Sequence, residues 1–143
     1  FDDVAVRLAR TDETELVAEH SARMILGELG YDPRAQRSSF LAGIRRAIEQ
    51  RCWWVWVVDY ELRFQCNVGA RTPLTAQIQG VWTPPALRGR GYATAALSNI
   101  SRRLLDESPT TSLYVNDFNA EAIALYDRIG YTRVGELATY LFP

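Results

Sequence analysis

The spacing of apolar residues changes several times along this chain, and each change marks an element. Val4 to Leu8 alternates apolar and polar positions, as a short strand does. Thr11 or Asp12 then provides an N-cap for a helix that runs to about Leu29 and stops at Gly30. After the turn Tyr31-Asp32-Pro33, a second helix is predicted from near Ser38 to Gln50, with Leu41, Ile44 and Ile48 on one face. Cys52 to Val58 is dense in tryptophan and valine, the composition of a central strand. Leu62 to Gly69 is its hairpin partner across a turn near Asp59-Tyr60-Glu61. Ala76 to Thr83 forms a further strand, which Pro84-Pro85 end.

Helical spacing returns from Gly91 to about Asp106, where Ala93, Ala96, Leu97, Ile100 and Leu104 recur on one face. Ser112 to Val115 reads as a short strand. Asn119 caps a last helix that carries Ala122, Ile123, Tyr126 and Ile129 on one stripe and ends at Gly130. Thr132 to Val134 and Ala138 to Leu141 read as closing strands. The order β-α-α-β-β-β-α-β-α-β(-β) predicts an α/β (α+β) fold, a mixed sheet with helices on both faces. With 143 residues and no linker or repeat, the chain reads as one domain over residues 1–143.

Composition narrows the chemistry. Apolar residues make up 48% and charged residues 23%, and no apolar run approaches the roughly 20 residues that span a bilayer, so a membrane is not expected as a partner. A net charge of −1 lacks the basic excess of a nucleic-acid binder. All 16 basic residues are arginine, which excludes a Walker lysine and a Schiff-base lysine. One histidine and two cysteines give no metal-ligand set, and no metal is expected. Counting back from the hairpin turn sets Cys66 opposite Trp54 and not Cys52, so both thiols are expected buried and reduced. With no signal-peptide pattern, that suggests the cytoplasm. Beginning at Phe1 and not at a methionine, the chain reads as a processed protein or one domain of a longer one.

The stretch Arg88-Gly89-Arg90-Gly91-Tyr92-Ala93 carries the clearest chemical signal. A strand feeding a glycine-rich turn that opens a helix offers backbone N–H groups at the positive end of the helix dipole. Glycines let the backbone approach phosphate oxygens, and arginines add charge-assisted donors. The turn comes late in the chain and lacks the third glycine of a dinucleotide fingerprint. It does match R-x-x-G-x-A, read as Arg88, Gly91 and Ala93. Here the chain resembles the GNAT superfamily of N-acetyltransferases. The segment from Asn119 to Tyr131 independently resembles that family's N-x-x-A-x-x-L-Y-x-x-x-G-[FY] motif, and Ser112 to Asn119 is similar to actinobacterial members in which this domain follows another.

The resemblance implies a mostly antiparallel sheet with a splayed strand pair and acetyl-CoA as co-substrate, without a metal. The N–H groups of Gly89, Arg90, Gly91, Tyr92, Ala93 and Thr94 would hold the pyrophosphate, with the Arg88 or Arg90 side chain nearby. Backbone at Val81, Trp82 and Thr83 would pair with the pantetheine arm and polarise the thioester carbonyl. Asn119 and Asn116 would bond the arm, and Tyr126 would protonate the departing thiolate. The acceptor would be an amine on a small molecule, peptide or protein, and a second domain or a homodimer is an expected partner. One departure stands out: the strand before the phosphate loop carries Gln77 and Gln79 where many relatives place a basic glutamate. Glu28, Asp32, Glu49 and Glu61 are substitutes that nothing in the sequence ranks. Acceptor specificity is expected in Leu26 to Phe40 together with Trp82. His20, in phase with Val17 and Met24, reads as a packed helix residue, and Trp53, Trp54 and Trp56 as core. Two further readings accompany the acetyltransferase: a non-catalytic acyl-CoA-binding or regulatory module, and a transferase of longer acyl groups.

Overall fold

The computed structural model describes residues 4–115 and 119–135. Five strands form one sheet in chain order: β1 (Val6–Leu8), β2 (Trp53–Val58), β3 (Glu61–Arg71), β4 (Thr75–Trp82) and β5 (Thr110–Leu113). The first three pairings are antiparallel and β4–β5 is parallel. Helices α1 (Thr14–Leu29) and α2 (Arg37–Glu49) cover one face, while α3 (Tyr92–Leu105) and α4 (Ala120–Ile129) cover the other.

Alternation along β2 divides the core in two. Trp53 and Val55 join Val17, Ala18, Ile44 and Ile48 on the α1/α2 face. Trp54 and Trp56 point the other way, toward Phe64, Leu97, Ile100 and Leu104. Hence three tryptophans in four residues are all buried. The hairpin turn holds Asp59 and Tyr60 at φ 51° and 64°, the left-handed pair that a two-residue hairpin of matching twist needs.

Most boundaries fall where the apolar pattern put them, and the exceptions have local causes. The first turn before α1 tightens into a 3₁₀ turn over Thr11–Glu13, and neither Thr11 nor Asp12 is the side chain that serves it. Glu13 does so instead: its carboxylate accepts the Arg10 N–H at 2.8 Å and a two-pronged bond from Arg7 at 2.7 and 2.8 Å. Arg7, foremost through that hydrogen bond, holds the Glu13 carboxyl below the usual carboxylate range. Strand β5 begins two residues earlier than expected, its start fixed by pairing of Thr110 with Thr75. Residues 131–135 continue as irregular chain, so Thr132 to Val134 is not a strand there. Tyr131 nonetheless ties the layers together through hydroxyl contacts of 2.7 Å to both Ser101 and Thr111. The second expected closing strand, Ala138 to Leu141, lies outside the described residues.

Cys66 does pair with Trp54 across β2–β3, and both cysteines are free. Cys66 is fully buried, and burial pushes its thiol pKa up; Cys52, expected buried, is only half-buried because it precedes β2. A thiol-reactive disulfide dye should therefore label one cysteine in the native protein and two after denaturation. Rapid labelling of both in the native state would contradict this packing.

Candidate functional site

The site develops from a break in strand phase. Ala76 and Ile78 of β4 point into the α3/α4 core, so Gln77 and Gln79 face α1 and α2. Three residues of β3, Gln65 to Asn67, then span four of β4, Gln79 to Trp82. The extra residue is a bulge at Gly80, whose φ of 63° suits glycine. Beyond it the phase inverts. Val81 packs against the α3/α4 core, and Trp82 turns to the α1/α2 side. A Cβ added at Gly80 would lie 3.7 Å from the Trp53 ring and 3.9 Å from the Met24 methyl, so α1 packs directly onto the bulge.

On its other edge β4 loses its partner at the same point. Its pairing with β5 runs from Thr75–Thr110 to Ile78–Leu113 and stops. Among the described residues, Gln79 to Trp82 face no strand on that side. The splayed pair expected from the resemblance is thus present, and it leaves a length of β4 backbone open to an extended ligand.

The chain leaves β4 through a 3₁₀ turn, Pro85–Leu87, into the glycine turn. Gly89 and Gly91 take φ 79° and 88°, and Gly91 occupies the cap position of α3. The Ala95 N–H bonds the Gly91 carbonyl at 3.1 Å, the first donor that the helix uses. The N–H groups of Gly89, Arg90, Gly91, Ala93 and Thr94 lie upstream of it on a surface where Arg88 to Gly91 are exposed. Backbone donors at a helix N-terminus, with no Cβ on two of the residues, form a turn that could cradle an anion. Arg90 is left to add charge from solvent. Arg88 is committed elsewhere: its Nε donates to the Thr83 carbonyl at 3.0 Å, and its guanidinium carbon stands 5.0 Å from the Trp82 ring centroid. The Thr83 hydroxyl oxygen is buried with no hydrogen-bond partner among the described residues, as are Gln65 Oε1 and Asn67 Oδ1 on β3. Of these, only Thr83 directly follows the open strand, where a polar ligand arm could satisfy it.

Trp82, expected from the sequence to contribute to acceptor specificity, does not lie open to solvent. It is buried, with Arg23 on α1 5.7 Å from its ring centroid. Its indole N–H donates to His20 Nδ1 at 3.0 Å. Indole can only donate, so Nδ1 accepts and the imidazole proton sits on Nε2. This partner for His20 was invisible in the sequence, because 62 positions separate the pair. Nearby, Gln65 donates to Ser21 Oγ at 3.1 Å, completing a buried polar seam between α1 and the sheet.

Tyr126 lies in the α3/α4 core with its ring 6.3 Å from that of Tyr131. Burial foremost pushes its phenol pKa up to about 12, so it stays protonated at neutral pH. Among the described residues its hydroxyl makes no hydrogen bond. Asn119 caps α4, its Oδ1 accepting the Ala122 N–H at 3.1 Å; its Nδ2 donors remain. Asn116 lies outside the described residues. The segment Leu26 to Phe40 lines two hollows on the α1/α2 side. One is about 260 Å³, bordered by Glu15, Glu19, Arg34 and Arg37; the other is about 510 Å³, bordered by Tyr31, Asp32, Ser39 and Phe40. Asp32 there is chelated by Arg34 at 2.8 to 3.0 Å.

Desolvation, then the Arg23 charge, lowers the His20 pKa below the ordinary value, with Glu19 opposing. A histidine depressed in the folded state binds its proton more readily when unfolded. Its contribution to stability is therefore complete above the unfolded pKa of about 6.5 and is lost as pH falls below it. His20 is the one histidine of the chain, so its ring proton resonance can be followed alone. Its midpoint should lie below that of an unstructured peptide, and Trp82→Phe, which removes the donor to Nδ1, should raise it. A midpoint unmoved by Trp82→Phe would refute the pairing.

Comparison with known proteins agrees with this geometry. The model of the family described as FR47-like protein matches residues 68–140, just over half of the chain, from the last residues of β3 through the glycine turn to α4 and beyond. No curated protein matches the chain in sequence. Among solved structures, a transcriptional regulator from Bacillus halodurans C-125 superposes with a TM-score of 0.80 at 17% identity, over 98% of this chain and 100% of that one. A "predicted acetyltransferase with acetyl-CoA" from Clostridium acetobutylicum gives 0.72 at 15% identity, over 95% and 94%. A "possible acetyltransferase" from Clostridium difficile 630 gives 0.71 at 17% identity, over 96% and 95%. At these identities the structures speak for the fold, and the family match speaks for descent: the chain belongs to the FR47-like family, within the GNAT superfamily of N-acetyltransferases.

Proposed function

We propose that this domain transfers an acetyl group from acetyl-CoA to a primary amine by direct attack, with both substrates bound together. The observation that carries the reading is the conjunction of an anion cradle at Gly89 to Thr94 with an unpaired length of β4 ending beside it. A pyrophosphate needs the first, and a pantetheine arm, which carries two amides, needs the second. Backbone of Val81 to Thr83 would pair with that arm, and an N–H of β4 near the bulge would stabilise negative charge on the thioester oxygen. Arg90 would add charge to the cradle. Arg88 would act indirectly, holding Thr83 and Trp82 in place. Asn119 Nδ2 would reach the arm.

Tyr126 supports turnover. Its phenol is protonated at neutral pH and lacks an internal partner among the described residues, which suits a proton donor to a departing thiolate. Phenol pKa near 12 also keeps it from acting as the base. The alternative, a domain that holds acyl-CoA without turnover, is favoured by one observation: Gln77 and Gln79, facing α1 and α2, offer no base from β4.

Two substitutions test the cradle and the phenol in turn. Gly91→Asn keeps a residue that tolerates the left-handed conformation but puts a side chain where phosphate must approach. Acetyl-CoA affinity by calorimetry should fall about tenfold or more, some 1.4 kcal/mol, in a protein that remains folded. Unchanged affinity would remove the cradle assignment. Tyr126→Phe deletes only the hydroxyl. Thiol release with an amine acceptor should drop by about 10²–10⁴-fold with acetyl-CoA affinity unchanged; equal turnover would make Tyr126 a core residue alone.

A further inference from the structure

We propose that Glu28, at the end of α1, is the base that removes the proton from the acceptor amine, an inference that rests on the acetyltransferase reading above. A primary alkyl amine is protonated at neutral pH and cannot attack a thioester until it loses a proton. Strand β4 supplies only the neutral amides of Gln77 and Gln79. The base must then come from an element that overhangs β4, and α1 is that element.

Two contacts fix the direction of α1 over the strand. His20 meets Trp82 through the indole bond, and Met24, one turn on, meets Gly80. The helix therefore runs antiparallel to β4. Residues four apart share a helix face, so the next turn carries Glu28 on from Met24 over the residues before Gly80. That is where β5 parts from β4 after Ile78–Leu113, and where a thioester would face the acceptor side. Glu28 is exposed and takes part in no hydrogen bond or ion pair among the described residues. Tyr126, on α4 and thus on the opposite face of the sheet, feels its charge. After burial, and after Cys66 and Tyr131, the Glu28 carboxylate is among the groups that raise the phenol pKa. A carboxylate on the α1 side of the sheet and a phenol on the α4 side thus lie within electrostatic reach of each other.

The other carboxylates that the sequence offered as bases fall away on geometry. Asp32 is clamped by Arg34 in a fork. Glu49 pairs with Arg45 at 3.1 Å. Glu61 sits beside the β2–β3 hairpin turn, four residues along β3 from Gln65, the partner of Trp82. Other charged groups near this face of α1 are Arg23, which lies over Trp82, and Glu19, which borders the hollow against α2. Neither shares the line of His20, Met24 and Glu28.

The step balances without a further reactant. Glu28 takes one proton from the ammonium and passes it to water. The freed nitrogen forms the C–N bond as the C–S bond breaks, and the second nitrogen-bound proton ends on the thiolate, with Tyr126 as donor and solvent restoring its proton. The products are an amide, the free thiol of coenzyme A and one proton.

The test measures thiol release from acetyl-CoA with tyramine, spermidine and a peptide bearing a free lysine, in the wild type, Glu28→Gln and Glu49→Gln. Glu28→Gln should lower kcat/KM at pH 7 by about 10²–10⁴-fold with acetyl-CoA affinity by calorimetry unchanged. The deficit should shrink toward pH 10, where an alkyl amine of pKa about 10.4 deprotonates unaided. Glu49→Gln should behave as wild type. A Glu28→Gln protein with wild-type turnover across the pH range overturns the assignment and leaves the transferase reading standing. A loss that stays constant with pH also overturns it, since that marks acceptor binding and not proton removal. Wild-type protein that binds acetyl-CoA but acetylates none of these amines overturns the transferase reading, and the base with it.

Discussion

The bulge at Gly80 is the constraint on which the site depends. A strand normally keeps one set of side chains on each face, and a single added residue inverts everything after it. In β4 that inversion happens two residues before the strand ends, so its cost to the core is small. Trp82 alone is redirected to α1, while Val81 takes the vacated position in the α3/α4 core. Without the bulge, Trp82 would compete with α3 for space and His20 would be a buried imidazole with no partner. With it, α1 is bolted to the end of β4 by a buried hydrogen bond, and Arg88 closes over the same ring from the turn beyond.

This arrangement couples the glycine turn, the end of β4 and α1. The glycine turn reaches back to Trp82 and Thr83 through Arg88. Trp82 in turn reaches α1 through His20, and α1 borders the hollows made with α2. The proposed transfer would need its two half-sites held in a fixed relation, since misplacement by an ångström is expensive in rate. Here the relation is set by one aromatic residue between two guanidinium groups and an imidazole. The neutral state of His20 is what lets that imidazole accept, and burial with a neighbouring arginine favours that state.

The splay is the second half of the design. A parallel pair that parts after four residues leaves polar backbone exposed, ordinarily a liability at a sheet edge. The open length is short, with the α1 helix above and the α3 N-terminus at its end, and it would suit the amide-bearing arm of the proposed co-substrate. The buried, unpartnered hydroxyl of Thr83 directly follows the open end of β4. Family membership and this slot point the same way from independent grounds, one from sequence descent over residues 68–140 and one from geometry.

How much of this was written locally can be judged from particular residues. The Arg88 to Ala93 turn and the Asn119 to Gly130 helix were legible because each is a short run whose glycines, cap and apolar spacing act over a few bonds. The Cys66–Trp54 pairing followed from counting across a two-residue turn, which fixes register. The sheet with helices on both faces followed from the order of periodicities. What the sequence left open involves contacts between distant positions. Nothing near Gly80 announces a bulge, since a lone strand glycine fits several roles. Nothing near His20 points to Trp82, and nothing near Glu28 ranks it above Asp32, Glu49 or Glu61. Those assignments depend on how α1 lies across β4, and that is decided by tertiary packing: the helix settles where Met24 meets a glycine and where an imidazole meets an indole N–H.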